Sequence, residues 1–211
     1  MKNFLAIDTS CAYMTVLVGK GEETFSTFLS DCAMKHSVNL LPAVEETLQK
    51  ANLRLEDCDV FSAVVGAGSF TGLRIAISAV KGFCLATKKP ALPITSFDVV
   101  AYNAIEKGNF SDKILCLVDA LHDSYYACGY QNGEVTLAPA YLSEEEVLAL
   151  EKEGYRLASC LPLPLSERAN VEVYDPLSGL EKAVRALMEK ERFGDLQALY
   201  VRKSSAELNQ A

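Results

Sequence analysis

The sequence predicts an α/β fold built from two halves of the same order. Short apolar runs bounded by turn residues predict strands, and longer segments with apolar residues every three or four positions predict helices. Three strands followed by a helix occur twice along the 211 residues. The strands are predicted at residues 4–9, 13–18 and 22–29 before a helix at 36–51, and at 113–119, 124–130 and 134–137 before a helix that opens at Ser143.

The second half contains the clearest helix and turn signals. Asn132-Gly133 between two apolar runs is typical of a β-hairpin. Ser143 and Glu146 have capping-box spacing, and Asp175 followed by proline predicts the start of the last long helix. The apolar segment 196–201 is expected to pack back onto the body of the protein.

The stretch 59–87 joins a buried strand at 60–65 to a long helix through a turn of small residues, Gly66 to Gly72. Glycine at such a turn permits a tight reversal from strand to helix. The turn also leaves amide groups at the start of the helix, where an anion could bind. The phosphate-loop pattern with its Lys-Ser or Lys-Thr pair is absent, which favours a capped strand-to-helix corner.

The helix after this turn is apolar on nearly every side. Small residues recur at three- and four-residue steps along it, at Gly72, Ala76, Ala79, Gly82 and Ala86. A helix of this kind must be covered on most of its surface. Either the protein's own sheet and a neighbouring helix cover it, or a protein partner does. The helix at 36–51 has a comparable apolar face at Leu41, Val44 and Leu48.

Four segments carry a resemblance to a known family. The run GAGSFTGLRIAISAVKGF, starting at Gly66, resembles the GPGSFTGLRIG-type signature of the TsaB (YeaZ) family, with Ala67 in place of the usual proline. The segments AIDTS at 6–10 and HSVNLLP at 36–42 also match, and LYVRK at 199–203 resembles the tail segment of the family. The match covers the first half well and the second half only in outline.

The resemblance implies two ribonuclease-H-like halves of the actin-like ATPase superfamily, with mixed sheets flanked by helices. The N-terminal half is expected at 1–108 and a smaller, divergent C-terminal half at 109–211. The resemblance also implies a partner subunit in the bacterial complex that adds threonylcarbamoyl to the tRNA adenosine next to the anticodon. Its partners would be a TsaD-type catalytic subunit and a TsaE-type ATPase.

The implied partner interface consists of the helices that follow His36 and Ser69. The same helices could also form a homodimer, since an exposed apolar patch seldom stays bare. The residues expected at this interface are Leu41, Val44, Leu48, Ser69, Phe70, Thr71, Gly72, Ala76, Ala79 and Gly82.

The sequence gives little sign of catalysis. It contains two histidines, His36 and His122, and no Gly-x-Ser-x-Gly elbow. Catalytic relatives of the TsaD type carry a His-x-x-x-His metal pair, and the matching stretch 96–105 has no histidine. We therefore expect a non-catalytic subunit with no cofactor or metal. His36 is expected to be a cap or surface residue.

Two catalytic hypotheses remain as alternatives. An actin-like-fold ATPase or small kinase would hold magnesium with Asp8 and Asp119, each of which ends a predicted strand. Asp8 could equally cap its own turn. A second glycine-bearing hairpin, expected in a nucleotide-binding member, is missing after Asp119. A degenerate protease is the third hypothesis, but no base lies near Ser69 in the sequence.

Composition limits the remaining classes. A net charge of -8 disfavours direct binding to a phosphate backbone, so tRNA is expected to be held by another subunit. The seven cysteines include no Cys-x-x-Cys pair, which favours free thiols in a reducing compartment. No signal-peptide pattern is present at the first residues, and no apolar run is expected to reach the roughly 20 residues of a membrane span. We expect a cytoplasmic protein without membrane contact.

Overall fold

The computed structural model describes residues 2–107 and 112–202. The predicted boundary between the halves, 108/109, lies outside the described residues. The first half contains β1 Phe4–Asp8, β2 Met14–Lys20, β3 Glu23–Leu29, α1 His36–Lys50, β4 Val60–Gly66, α2 Phe70–Thr87, β5 Ala91–Thr95 and α3 Ser96–Lys107. The second contains β6 Lys113–Asp119, β7 Ser124–Gln131, β8 Glu134–Ser143, α4 Glu144–Lys152, β9 Tyr155–Ser159, β10 Val171–Val173 and α5 Pro176–Glu189.

The ten strands found within the described residues form two sheets with the same topology. The first has the order β3-β2-β1-β4-β5 and the second β8-β7-β6-β9-β10. In each sheet the first three strands in chain order pair antiparallel. The fourth strand pairs parallel with the first, and the fifth pairs parallel with the fourth. The repeat predicted from the order of strands and helices is therefore confirmed, and so is the α/β class with two mixed sheets.

The predicted turns and caps follow from local chemistry. Asn132 and Gly133 both have positive φ angles, 54° and 74°, which suit a tight hairpin. The Ser143 side chain accepts from the Glu146 amide while the Glu146 side chain accepts from the Ser143 amide, which completes the capping box. Asp175 accepts from two amides at the start of α5, as an N-cap aspartate does.

Helices cover both faces of both sheets. Buried side chains of α1 and α2 pack on one face of the first sheet. The other face is covered by α5, through Leu180, Ala183 and Val184. Helix α3 packs on the second sheet, whose far face is covered by Val147 of α4 and by Leu163 and Leu165. Helix α3 thus follows the first sheet in the chain but packs on the second, and α5 follows the second sheet but packs on the first.

The two halves meet where α3 crosses α5. Asn103 Nδ2 donates to the carbonyl oxygen of Asp175 at 2.8 Å, and Lys182 Nζ donates to Asn103 Oδ1 at 2.9 Å. A side chain at Gly179 would overlap the carbonyl oxygen of Val99, so glycine permits this close crossing. The crossing fixes how the two sheets face each other and so shapes the cleft between them.

Helix α2 corrects the expectation that no apolar segment of the chain is long enough to span a membrane. Its 18 residues have a mean hydropathy of 1.3, so by length and composition alone it could cross a membrane. Leu73, Ala76 and Val80 pack in the core of the first sheet, which accounts for part of this apolar character. Several further apolar residues of α2 are partly buried against the same core, while Phe70 and Leu85 are exposed.

Candidate functional site: an interlobe cleft and a docking surface

The turn between β4 and α2 packs directly on the loop after β1. The Ser69 amide donates to the carbonyl oxygen of Ser10, and Thr9 Oγ1 donates to the carbonyl oxygen of Gly72, both at 2.7 Å. A side chain at Gly68 would overlap the carbonyl oxygen of Ser10, and one at Gly72 would overlap the carbonyl oxygen of Thr9. The segments AIDTS and GAGSFTG, more than fifty residues apart, are therefore one packed unit.

Ser69 caps α2. Its side-chain oxygen accepts from the Gly72 amide at 3.3 Å, in the N-cap geometry. The prediction of a capped strand-to-helix corner is confirmed. Ser69 therefore has a structural role, because its side chain caps α2 and its amide donates to Ser10. The protease hypothesis had considered it as a nucleophile instead.

Asp8 is sealed within the first half. It is 1% exposed, and its two oxygens accept from the Ser10 amide at 2.8 Å and from the Tyr13 hydroxyl at 3.0 Å. Burial raises the pKa of the Asp8 carboxyl, outweighing the hydrogen bonds that lower it. Asp8 thus caps its own turn, as one of the two sequence interpretations predicted.

Asp119 occupies the equivalent place at the end of β6 but differs in environment. It is exposed, and its Oδ1 accepts from the Leu121 amide at 2.8 Å. The turn continues through Leu121, His122 and Asp123 with φ of 64°, 55° and 54°, a left-handed run without glycine. Non-glycine side chains obstruct the close approach of backbone amides that a phosphate needs.

A cavity of about 640 Å³ lies between the halves, next to the ends of β1 and β6. Its described lining includes apolar groups such as Leu117, Val118 and Leu163 and the hydroxyls of Ser10 and Ser69. No lysine or arginine is among the described residues that line it. A nucleoside polyphosphate needs cations, and its magnesium needs free carboxylates. With Asp8 sealed, Asp119 is the one carboxylate among the described lining residues, and no lysine or arginine accompanies it. The residues present therefore do not fit magnesium-ATP, and the ATPase hypothesis is not favoured.

His36 also differs from expectation. It begins α1 but is 6% exposed, and its Nε2 donates to the carbonyl oxygen of Tyr13 at 3.1 Å. The ring is therefore a buried link between α1 and the loop after β1, and the expected surface position is wrong. Over the described residues, no three His, Cys, Asp or Glu side chains cluster as metal ligands do.

A second candidate site lies beside the cleft, on the outward faces of α1 and α2, and Met34 at its edge also lines the cavity. These helices lie on the same face of the first sheet. Large apolar side chains remain exposed on them and on the loop before α1. We call this set the docking surface: Met34 (98% exposed), Val38 (73%), Leu41 (60%), Phe70 (44%) and Leu85 (83%).

The outward stripe of α2 is basic as well as apolar. Its exposed positions recur at helical spacing: Phe70, Arg74, Ser78, Lys81 and Leu85. Helix α2 has no acidic residue, in a protein whose net charge is -8. A surface that covers this stripe would therefore have apolar groups and carboxylates.

The predicted interface residues divide into two groups. Leu41, Ser69, Phe70, Thr71 and Gly82 are exposed and Ala79 is half-buried, while Val44, Leu48, Gly72 and Ala76 are buried in the protein's own core. The small-residue stripe winds around α2, so its first two members face β1 and its last members face outward. Met34, Val38 and Leu85 are also exposed there but are not among the predicted residues, although the three-residue spacing of Val38 and Leu41 gave a signal.

Comparison with known proteins identifies a family and several relatives that this chain resembles. The family model for TsaD, tRNA N6-adenosine threonylcarbamoyltransferase, matches residues 30–199. The TsaB protein of Buchnera aphidicola (subspecies Schizaphis graminum) is 32% identical over 103 residues, 49% of each chain. Escherichia coli TsaB is 29% identical over 130 residues, 62% of this chain and 55% of its own. The chain spans about half the length of these curated relatives.

Among solved structures, YeaZ from Pseudomonas aeruginosa aligns with a TM-score of 0.75 at 23% identity, over 95% of this chain and 100% of its own. This similarity confirms the predicted α/β fold of two mixed sheets flanked by helices. The TsaD family model covers most of the length of this chain, so the chain belongs to the TsaD family, and within it to the TsaB (YeaZ) branch.

Proposed function

We propose that this protein is a non-catalytic partner subunit in the bacterial assembly that adds threonylcarbamoyl to the tRNA adenosine next to the anticodon. It binds and supports a TsaD-type catalytic subunit. The observation that carries the proposal is the docking surface, four large apolar side chains exposed on two neighbouring helices and a fifth, Met34, on the loop before α1. Contiguous exposed apolar patches mark interaction sites in soluble proteins.

The proposed geometry is a bundle of four helices, two from each partner. Val38 and Leu41 of α1 and Leu85 of α2 project away from the first sheet, where a pair of partner helices would bury them. The basic residues Arg74 and Lys81 would meet carboxylates of the catalytic subunit. A homodimer could use the same surface and would then compete with the catalytic subunit for it.

The wider assembly would contain a TsaE-type ATPase and would hold the tRNA mainly through subunits other than this one. The net charge of -8 and the cavity without lysine or arginine among its described lining residues support this division of work. The buried Asp8 supports the absence of nucleotide chemistry in this chain. We place the complex in the cytoplasm, where tRNA is modified.

Light scattering after size-exclusion chromatography tests the pairing. The chain is mixed with a TsaD-type subunit as wild type, as Val38→Glu and as Val135→Glu. Val38 is 73% exposed on α1, and Val135 is 54% exposed on the edge strand β8 of the other half. We expect a complex with wild type and with Val135→Glu, and at least about tenfold weaker binding with Val38→Glu, because a carboxylate is then buried without a partner.

The wild type and both variants should melt at similar temperatures, since each substitution replaces an exposed side chain. A wild type that forms no complex with the catalytic subunit, or a Val38→Glu variant that binds as tightly as wild type, would overturn the proposed pairing through α1.

A further inference from the structure

The C-terminal strap, residues 194–202, returns from α5 across the first half to the start of α2. The Gly194 amide donates to the carbonyl oxygen of Ala91, and the Leu199 amide donates to the carbonyl oxygen of Val65 at 2.7 Å. Leu196 is 1% exposed in the first core. The strap is therefore anchored at both β5 and β4.

The anchoring is tightest at the turn before α2. Gly66 has a φ of 134°, and a side chain there would lie 2.5 Å from the carbonyl oxygen of Leu199. This close contact positions the next residue, Tyr200, beside the first turn of α2. The packed turn thus holds the strap as well as the loop after β1.

Tyr200 forms an exposed cluster with two residues of α2. Its ring stacks on the Phe70 ring with centroids 5.1 Å apart, and its hydroxyl oxygen accepts from Arg74 Nε at 3.1 Å. The Arg74 guanidinium carbon lies 3.7 Å from the Phe70 ring centroid. Although the rings contact each other, Tyr200 remains 45% exposed and Phe70 44%.

We propose that Tyr200 belongs to the surface that binds the catalytic subunit and that the Tyr200–Phe70–Arg74 cluster is its energetic centre at this end of α2. The inference rests on the proposed function. Tyrosine and arginine, together with tryptophan, are enriched at interface hot spots. The cluster begins the outward stripe of α2, so a partner that covers Phe70 and Arg74 also contacts Tyr200.

The charge of the stripe identifies the kind of partner surface. Arg74 and Lys81 face outward from a helix that lacks acidic residues. The complementary surface is a helix of the catalytic subunit that presents carboxylates beside apolar side chains. Tyr200 limits the mobility of Arg74 before binding, which lowers the entropy lost when the complex forms.

Titration calorimetry against a TsaD-type subunit tests the inference with Tyr200→Ala, Tyr200→Phe and the control Arg202→Ala. Arg202 lies on the same strap but contacts Tyr141 of the other half. We expect Kd to rise at least about tenfold for Tyr200→Ala, less for Tyr200→Phe, which keeps the ring, and less than twofold for Arg202→Ala.

A Tyr200→Ala variant that binds within twofold of wild type would overturn this inference and leave the proposed function standing. An equal loss in Arg202→Ala would also overturn it, because attachment of the strap and not the ring would then matter. A loss of self-association without loss of binding to the catalytic subunit would assign the cluster to a second copy. A wild type that binds no catalytic subunit would overturn the inference and the proposed function together.

A second readout does not depend on how well Tyr200→Ala folds. Benzoylphenylalanine at position 200 retains an aromatic ring and cross-links to whatever contacts it under light. We expect capture of the catalytic subunit from position 200 and none from position 135 on β8. No capture from position 200 in a mixture that forms the complex would contradict the proposal.

Discussion

Asp8 and Asp119 show how one residue type serves different roles at equivalent places in a duplicated fold. Both end the central strand of a sheet, β1 or β6. Asp8 is buried and accepts from Ser10 and Tyr13, while Asp119 is exposed and bonds to the amide of Leu121. The sequence could predict the two positions but not their burial, since Tyr13 reaches Asp8 only in the folded hairpin.

The raised pKa of Asp8 predicts a pH-dependent stability. The folded state binds the proton more tightly than the unfolded state, so the free energy of unfolding falls as pH rises from the ordinary carboxyl range toward the folded pKa. Asp8→Asn removes this ionisation. We expect the variant to gain stability relative to wild type as pH rises, measured by urea unfolding between about pH 4 and pH 8.

Asp119→Asn controls for the loss of one negative charge at the equivalent, exposed strand end. An Asp8→Asn variant that loses stability relative to wild type as pH rises would show that the Asp8 carboxylate is charged and held by its donors. That result would reopen the question of a cation near Asp8.

At the scale of elements, α1 and α2 each have an inner and an outer apolar stripe. In α1 the inner residues are Leu40, Val44 and Leu48, and the outer ones are Val38 and Leu41. The sequence pattern predicts both helices, yet it cannot rank two apolar stripes by burial. The predicted interface therefore mixed core residues with exposed ones, and the sheet contacts of Val44 and Ala76 were needed to separate them.

Gly72 determines how closely α2 approaches β1. An added methyl group would overlap the carbonyl oxygen of Thr9 and would also contact the side chain of Ser69, which caps the turn. We expect Gly72→Ala to lower the free energy of unfolding by about 1–3 kcal/mol, as overpacking does. Denaturant unfolding measures the change.

Gly82→Ala on the same helix is the matched control. Apart from the backbone of α2 and the neighbouring residues in the chain, no described atom lies within 4 Å of the Cβ position at Gly82. Glycine within a helix costs stability relative to alanine. We expect this variant to gain up to about 1 kcal/mol. If both substitutions changed stability alike, the close approach at Thr9 would not be the reason for glycine at position 72.

For the whole molecule, the duplicated strand order could be predicted because turn and strand signals are local. The exchange of α3 and α5 between the sheets could not, since it depends on long-range contacts such as the Asn103–Lys182 hydrogen bond. The exchange leaves α1 and α2 as the helices on the outer face of the first sheet. The docking surface is thus a consequence of the topology as well as of the sequence of α1 and α2.

In the function proposed for it, this chain supports threonylcarbamoyl transfer without performing it. The most direct test measures modified tRNA formed by a TsaD-type subunit and a TsaE-type ATPase, with wild-type chain, with Val38→Glu or without the chain. We predict robust modification with wild type, and a large loss both with Val38→Glu and without the chain. Equal modification in all three mixtures, or transfer by this chain alone, would contradict the account.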